Sequence, residues 1–258
     1  MLALRSVLLA VAVICLTSSW AADAAAMSAQ AWGDVIFGGG HRDDRGAPPP
    51  PVARYVSDEG ESFVLDRSAS TPLLKFEESQ EVLVLNPTPA ARGDIIYRDD
   101  VGEPVLRATK LGGLILFGHG RPGGAPAALA GQAGSLRLQS LSASALLQRL
   151  GQASVRATHA AKHLMVFDAQ LGSQEMTPDA AAVFADAAAV AAEAVVRIAR
   201  RADGAKILAR FGRVLLEPGS KSAANVSRGV MKITVIPSDG LAGRPSSARI
   251  VEVAENAR

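Results

Sequence analysis

The chain reads as an α+β fold. An N-terminal antiparallel β meander, curled into a sandwich or partial barrel, leads into a helical and mixed half built around a long, buried, Ala-rich helix. Three observations predict this. Short clusters rich in Val, Ile, Leu and Phe recur from Tyr55 to Phe117, each followed by Gly, Pro, Asn, Asp or Ser, as strands and turns require. From Ala143 the apolar spacing changes to three and four, the period of a helix face. Thr177-Pro178-Asp179 then supplies a cap, a first-turn proline and a first-turn acid, a well-formed helix start. With 48% apolar residues in 258, there is ample material for a packed core.

Before the meander come two segments that build no core. Arg5, the apolar run Val7 to Leu16 and the Ala-rich residues after it match a secretory signal peptide over residues 1–24, with cuts expected after Ala24 or Ala26. Thr17, Ser18 and Ser19 interrupt the run too early for a membrane anchor. The mature chain is therefore expected in the periplasm or secreted. Cys15, the only cysteine, lies inside the leader, so disulfides, thiolate catalysis and cysteine metal sites are not expected. Ile14 before it does not suit a lipoprotein cleavage box. Residues 25–53 read as a disordered Gly/Pro-rich linker, because Gly38 to Gly40 maximise backbone freedom and Pro48 to Pro51 favour extended geometry.

The folded region is expected over 54–254, as a β-rich part (54–117), a loop (118–134) and an α/β part (135–254). Strands are expected at Ser62 to Leu65, Leu73 to Phe76, Val82 to Leu85, Ile95 to Tyr97, Val105 to Ala108 and Leu114 to Phe117. GHGRPGGAPAALAGQAG, from Gly118 to Gly134, has loop composition. Ser142 caps a helix whose apolar residues recur through Ala143, Leu146, Leu147, Leu150, Ala153, Ala157 and Ala161. His163 to Phe167 reads as a strand. In the Ala-rich helix from Thr177 to Arg201, Asp179, Asp186, Glu193 and Arg200 fall seven apart on one narrow polar stripe. The remaining faces are small and apolar, so the helix is expected to be buried, while its mid-helix acids argue against a membrane span. A short helix near Lys206 to Phe211 and strands at Val214 to Leu216, Val230 to Ile236 and Arg249 to Val253 complete the pattern.

Charge is segregated along the chain. Tyr55 to Glu103 holds eleven carboxylates against four cations, whereas Pro104 to Phe167 holds no carboxylate and seven cations: Arg107, Lys110, Arg121, Arg137, Arg149, Arg156 and Lys162. Either the two halves fold together and pair or solvate these charges, or the seven cations form a face that recruits an anionic envelope polymer such as lipopolysaccharide phosphate. An envelope protein is a further partner. Nucleic acid is not expected, since only Phe117 and Phe167 accompany the cations and single-strand binders need stacking platforms.

Motifs for catalysis are incomplete. Gly118-His119-Gly120-Arg121-Pro122-Gly123 matches G-x-G-x-x-G, but Pro122 and Pro126 oppose the helix that should open there. The acid expected about twenty residues on is also missing, because no carboxylate occurs before Asp168. ILFGHG has the shape found before an oxyanion loop, yet the chain contains no G-x-S-x-G elbow. Ser135, Ser173 and Ser220 are candidate nucleophiles with His119 or His163 as base. His159 and His163 have helical spacing, without the third ligand that zinc needs. Asp99, Asp100 and Glu103 cluster in a turn, and paired carboxylates run glycoside hydrolysis only where one is desolvated. His119 and Asp168 are the retained catalytic candidates, and neither a cofactor nor a metal is expected. Arg92-Gly93-Asp94 reads as a strand entry and not an adhesion tripeptide. Pro218-Gly219-Ser220-Lys221-Ser222 is similar to a phosphate loop without its leading glycine.

RYVSDEGESFVLDRS and RGDIIYRDDVGEPVLRATKLGGLILF resemble the N-terminal portion of a family of exported bacterial proteins catalogued as a domain of unknown function. The resemblance covers Arg54 to Phe117 most closely and implies no site residues. The sequence thus points to a non-catalytic binding or structural protein of the cell envelope, with a periplasmic hydrolase using an atypical serine or carboxylate site as the alternative.

Overall fold

The computed structural model describes residues 50–118, 121–170 and 176–257, all within one unit spanning Pro48–Arg258. The expected leader, nearly all of the expected linker, His119 and Ser173 lie outside the described residues. Nine antiparallel strands form the first half: β1 (Val52–Ser57), β2 (Ser62–Asp66), β3 (Leu73–Phe76), β4 (Leu83–Val84), β5 (Asn86–Pro89), β6 (Ile95–Arg98), β7 (Pro104–Ala108), β8 (Leu114–Gly118) and β9 (Arg121–Gln132). Their order is β4-β3-β2-β1-β9-β8-β7-β6-β5. The two edge strands β4 and β5 are separated in the chain by Leu85 alone, so the sheet curls until its edges meet in a near-barrel. Alternate residues point inward and bury Phe63, Leu65, Leu74, Leu85, Leu106 and Leu116. Tyr55 stacks on Phe63 at 5.6 Å, and Phe76 meets Phe63 edge-on at 6.2 Å, the offset geometries that ring quadrupoles favour.

The expected loop at 118–134 is instead largely strand β9. Composition concealed it, because Gly, Ala and Pro are poor strand formers in isolation. Here they serve close packing: Gly124 has φ +74°, and a Cβ there would sit 2.5 Å from Ile115 Cγ2 and 2.8 Å from the Leu116 carbonyl oxygen. The ladder shifts register beside this point, as at a bulge. Strand β5, Asn-Pro-Thr-Pro, was also hidden in turn composition, and its prolines, which carry no N–H, suit an edge. Strand β1 begins at Val52, just inside the expected linker.

The second half contains α1 (Ala143–Ala161), β10 (Val166–Ala169), α2 (Pro178–Ala199), the short helix α3 (Gly204–Leu208), β11 (Arg213–Pro218), β12 (Ala223–Ser227), β13 (Val230–Val235), a 3-10 segment (Pro237–Gly243) and α4 (Ser247–Asn256). The sheet order is β10-β11-β13-β12, with β12 antiparallel to its neighbour and the others parallel. Helix α2 is the centre of the core, as its small residues predict, and packs against α1, α4 and the sheet. Ser142 and Thr177 cap α1 and α2 through side-chain bonds to Ala145 and Ala180 N–H. Hydroxyls of α1 also cover the outer edge of β10: Ser154 Oγ accepts from Phe167 N–H at 2.9 Å and Thr158 Oγ1 from Met165 N–H at 3.0 Å.

Two expected elements change. The strand placed at His163 to Phe167 starts later, because Lys162 ends α1 in the left-handed conformation at φ 58° and the chain must turn before it extends. Arg249 to Val253, expected as a strand, lies within α4. Ser246 caps that helix, and Ile250 and Ala254, four apart, are its buried stripe.

Candidate functional site

The two halves meet at the N-terminus of α4, where the acidic segment finds its partners. A helix start leaves N–H groups unsatisfied and favours negative charge, and two carboxylates from the near-barrel supply it. Asp100, in the β6–β7 turn, accepts from Ser246 N–H at 2.9 Å and from its hydroxyl. Glu81, just before β4, accepts from Ser247 N–H at 2.9 Å and from the Ser247 hydroxyl. Arg197 of α2 donates to that hydroxyl at 2.7 Å. Arg244, 4% exposed, lies beneath. Its guanidinium donates to Asp186 on α2 and to the Val82 carbonyl at 2.9 Å, and lies 3.8 Å from Glu81. Burial pushes the Glu81 carboxyl above its ordinary range, against the lowering effect of Ser247 and Arg244.

Above this buried knot opens a cleft of about 590 Å³, within the size range of small-molecule sites. One wall comes from the near-barrel, with Asn86 and Asp99. Further lining comes from the β11–β12 connection, with Lys221 and Ser222. Asp99 Oδ1 organises its own turn by accepting from Val101 N–H at 3.1 Å and Glu103 N–H at 2.8 Å. Burial, and then the neighbouring Asp100 charge, raise the Asp99 carboxyl above its usual range despite those bonds. Sequence reasoning picked out the Asp99-Asp100 pair and the Lys221-Ser222 string separately. Only the fold brings them to one cleft. Glu81, Arg244, Ser246 and Ser247 carry no local signal, because their partners are 50 to 166 residues away in the chain.

The other sequence candidates are dispersed. Asp168 sits on β10, where Arg213 Nε donates to it at 2.8 Å. Ser135 Oγ donates to Asp66 at 2.9 Å. Burial would raise the Asp66 carboxyl, but bonds from Ser68, Leu136 and Ser135 outweigh it and hold Asp66 at about 2. Ser220 is exposed. His163 lies beyond the end of α1, its ring nitrogens 3.2 Å from the Ala161 and Phe211 carbonyls, so it shares no helix face with the exposed His159. Asp94 of the Arg-Gly-Asp string is buried; the Arg107 guanidinium, then Lys110 N–H, hold its carboxyl below the ordinary range. Gly118 ends β8 and Arg121 to Gly123 belong to β9, so no helix opens after the G-x-G-x-x-G string. Among the described residues no cluster of three His, Cys, Asp or Glu is placed to hold a metal, and no helix is long and apolar enough to cross a membrane.

Of the seven cations, Arg107 pairs with Asp94 and Arg156 with Glu193, and the side chain of Arg121 is not described. Lys110, Arg137, Arg149 and Lys162 are exposed. Arg149 reaches only Gln152, at 3.4 Å. They divide between the near-barrel, with Arg107 and Lys110, and α1 with its approach. Helix α1 contains no carboxylate, and it exposes Leu147 (70%) and Val155 (71%); Leu164 follows at 71%. The acids on the α2 stripe are engaged: Asp179 by Ser140, Asp186 by Arg244 and Glu193 by Arg156.

A family model described as a domain of unknown function, DUF4908, matches residues 34–254, so the match runs through both halves and the cleft between them. No curated protein matches, and no solved structure does.

Proposed function

The chain belongs to the DUF4908 family, and we propose that it is exported and acts by binding the anionic surface of the cell envelope, not by chemical turnover. The observation that carries this reading is the solvent side of α1. That side exposes Arg149, Leu147 and Val155, Lys162 follows as the exposed C-cap, and the helix has no acid anywhere along it. Cations and aliphatic side chains together complement an anionic amphiphile, such as the phosphates and acyl chains of lipopolysaccharide. Export supplies the setting, from the leader-like residues 1–24. Binding is favoured over hydrolysis by the engagement of the chemistry-bearing groups: Asp168 with Arg213, Ser135 with Asp66, and Ser247 at 0% exposure.

The test is co-sedimentation of the full protein with lipopolysaccharide and with phosphatidylcholine vesicles. Retention on lipopolysaccharide alone, collapsing with modest salt and with the double variant Arg149→Glu/Lys162→Glu, is the expected result. Equal retention on both materials, or insensitivity to salt, refutes it. Labelling of a serine by a reactive phosphonate would instead support an envelope hydrolase. Recovery of the intact, unprocessed chain from a cytosolic fraction would remove the export premise.

A further inference from the structure

The cleft between the near-barrel and α4 has a charge arrangement of its own, independent of α1. Most ionic groups around it are already satisfied. Asp100 is held by Ser246, and Arg249 donates to the Asp100 carbonyl and lies 3.4 Å from Glu252. Arg244 is committed to Asp186, Val82 and Glu81. Two charges in the lining have no ion-pair partner among the described residues, one on the near-barrel and one on the β11–β12 connection. Asp99 is held within its turn by backbone N–H groups and has no ion-pair partner among the described residues. Lys221 is exposed and has no ion-pair partner among them.

We infer that the cleft is a binding site for short zwitterionic peptides with small aliphatic side chains, the ligand's ammonium meeting Asp99 and its carboxylate meeting Lys221. A ligand of one sign would satisfy one wall and leave the other charge uncompensated; a zwitterion satisfies both. The apolar part of the lining is aliphatic, with Leu83, Val84, Ala223, Ala224, Ala242 and Val253. Methyl and isopropyl groups pack on such a surface. Thr71, Asn86 and Ser222 add neutral hydrogen-bonding groups suited to peptide amides. No aromatic residue lines the cleft, which removes the stacking platform that a nucleobase exploits. The volume accommodates a ligand of a few residues.

Titration calorimetry on the full protein with alanyl-alanine, its N-acetyl derivative and its C-terminal amide tests the assignment. Saturable binding is expected for the free dipeptide, weakened roughly tenfold or more by blocking either end, in line with loss of a charged partner. Lys221→Met should weaken the dipeptide to the level of its amide. Asp99→Asn, which keeps the turn-forming acceptor, should weaken it to the level of the acetylated form. Arg149→Glu/Lys162→Glu should leave the affinity unchanged, which separates this site from the envelope-binding face. Absence of saturable binding, equal affinity for the blocked forms, or an unaffected Lys221→Met variant overturns the assignment.

Discussion

Arg244 gives the sharpest test of how the two halves are held together. Its side chain is 1% exposed, and it serves Asp186, the Val82 carbonyl and Glu81. Replacement by Met preserves length and apolar volume but removes every donor. Asp186 then loses its cation at 15% side-chain exposure and Glu81 loses its cation at 6%, while a buried carbonyl loses a hydrogen bond. Removing one partner of a buried ion pair costs about 3–5 kcal/mol, because the remaining charge stays desolvated. The same change at Arg213, whose pair with Asp168 is 53% and 42% exposed, should cost at most about 1 kcal/mol. Urea unfolding of the two variants beside the parent chain measures both, with an unchanged slope showing that the unfolding reaction is the same. Adding Asp186→Asn to Arg244→Met should recover part of the loss by removing the stranded charge. If Arg244→Met costs no more than Arg213→Met, the knot is not what joins the halves and the reasoning fails.

Glu81 and Asp66 should impose opposite pH dependences. Because the Glu81 carboxyl is raised in the folded state, its contribution is complete below the unfolded value of about 4.3 and declines as pH rises through the folded value. Glu81→Gln should remove that decline in chemical-denaturation stability, and an unaltered pH profile would refute the assignment. Asp66, held at about 2, stabilises the fold above the unfolded value of about 3.9 and loses that contribution as pH falls toward 2. Asp66→Asn should therefore cost on the order of 2 kcal/mol at neutral pH and almost nothing near pH 2. Gly124→Ala places a Cβ against Ile115 and the Leu116 carbonyl at positive φ, so it should lower stability by more than about 1 kcal/mol; a neutral result would mean that β9 does not pack as described.

The parts of the fold that were legible in sequence are those whose signals are local. Ser142 and Thr177 announce their helices within three residues, and the Val, Ile and Leu clusters of β6, β7 and β8 sit between obvious turns. The buried character of α2 follows from small residues on nearly every side. The missed elements lack a local signal or carry a misleading one. Strand β9 is made of Gly, Ala and Pro, chosen by the closeness of β8 and not by strand preference. Arg249 to Val253 is rich in β-branched residues like a strand, while Ser246, its cap, meets Asp100 only in the fold. Segregated charge was correctly seen, but the acids that cross between the halves meet Ser246, Ser247 and Arg244 in the C-terminal region. The cations described between Pro104 and Phe167 instead pair within their own half, as Arg107 and Arg156 do, or remain exposed.

The most direct test of the account is a nuclear magnetic resonance titration of the full protein with lipopolysaccharide, following each backbone amide. Shifts or broadening concentrated in residues 143–166, and reversed by salt, are the predicted outcome. Perturbation centred on the cleft or the near-barrel, or none at all, would contradict the proposal that α1 carries the binding.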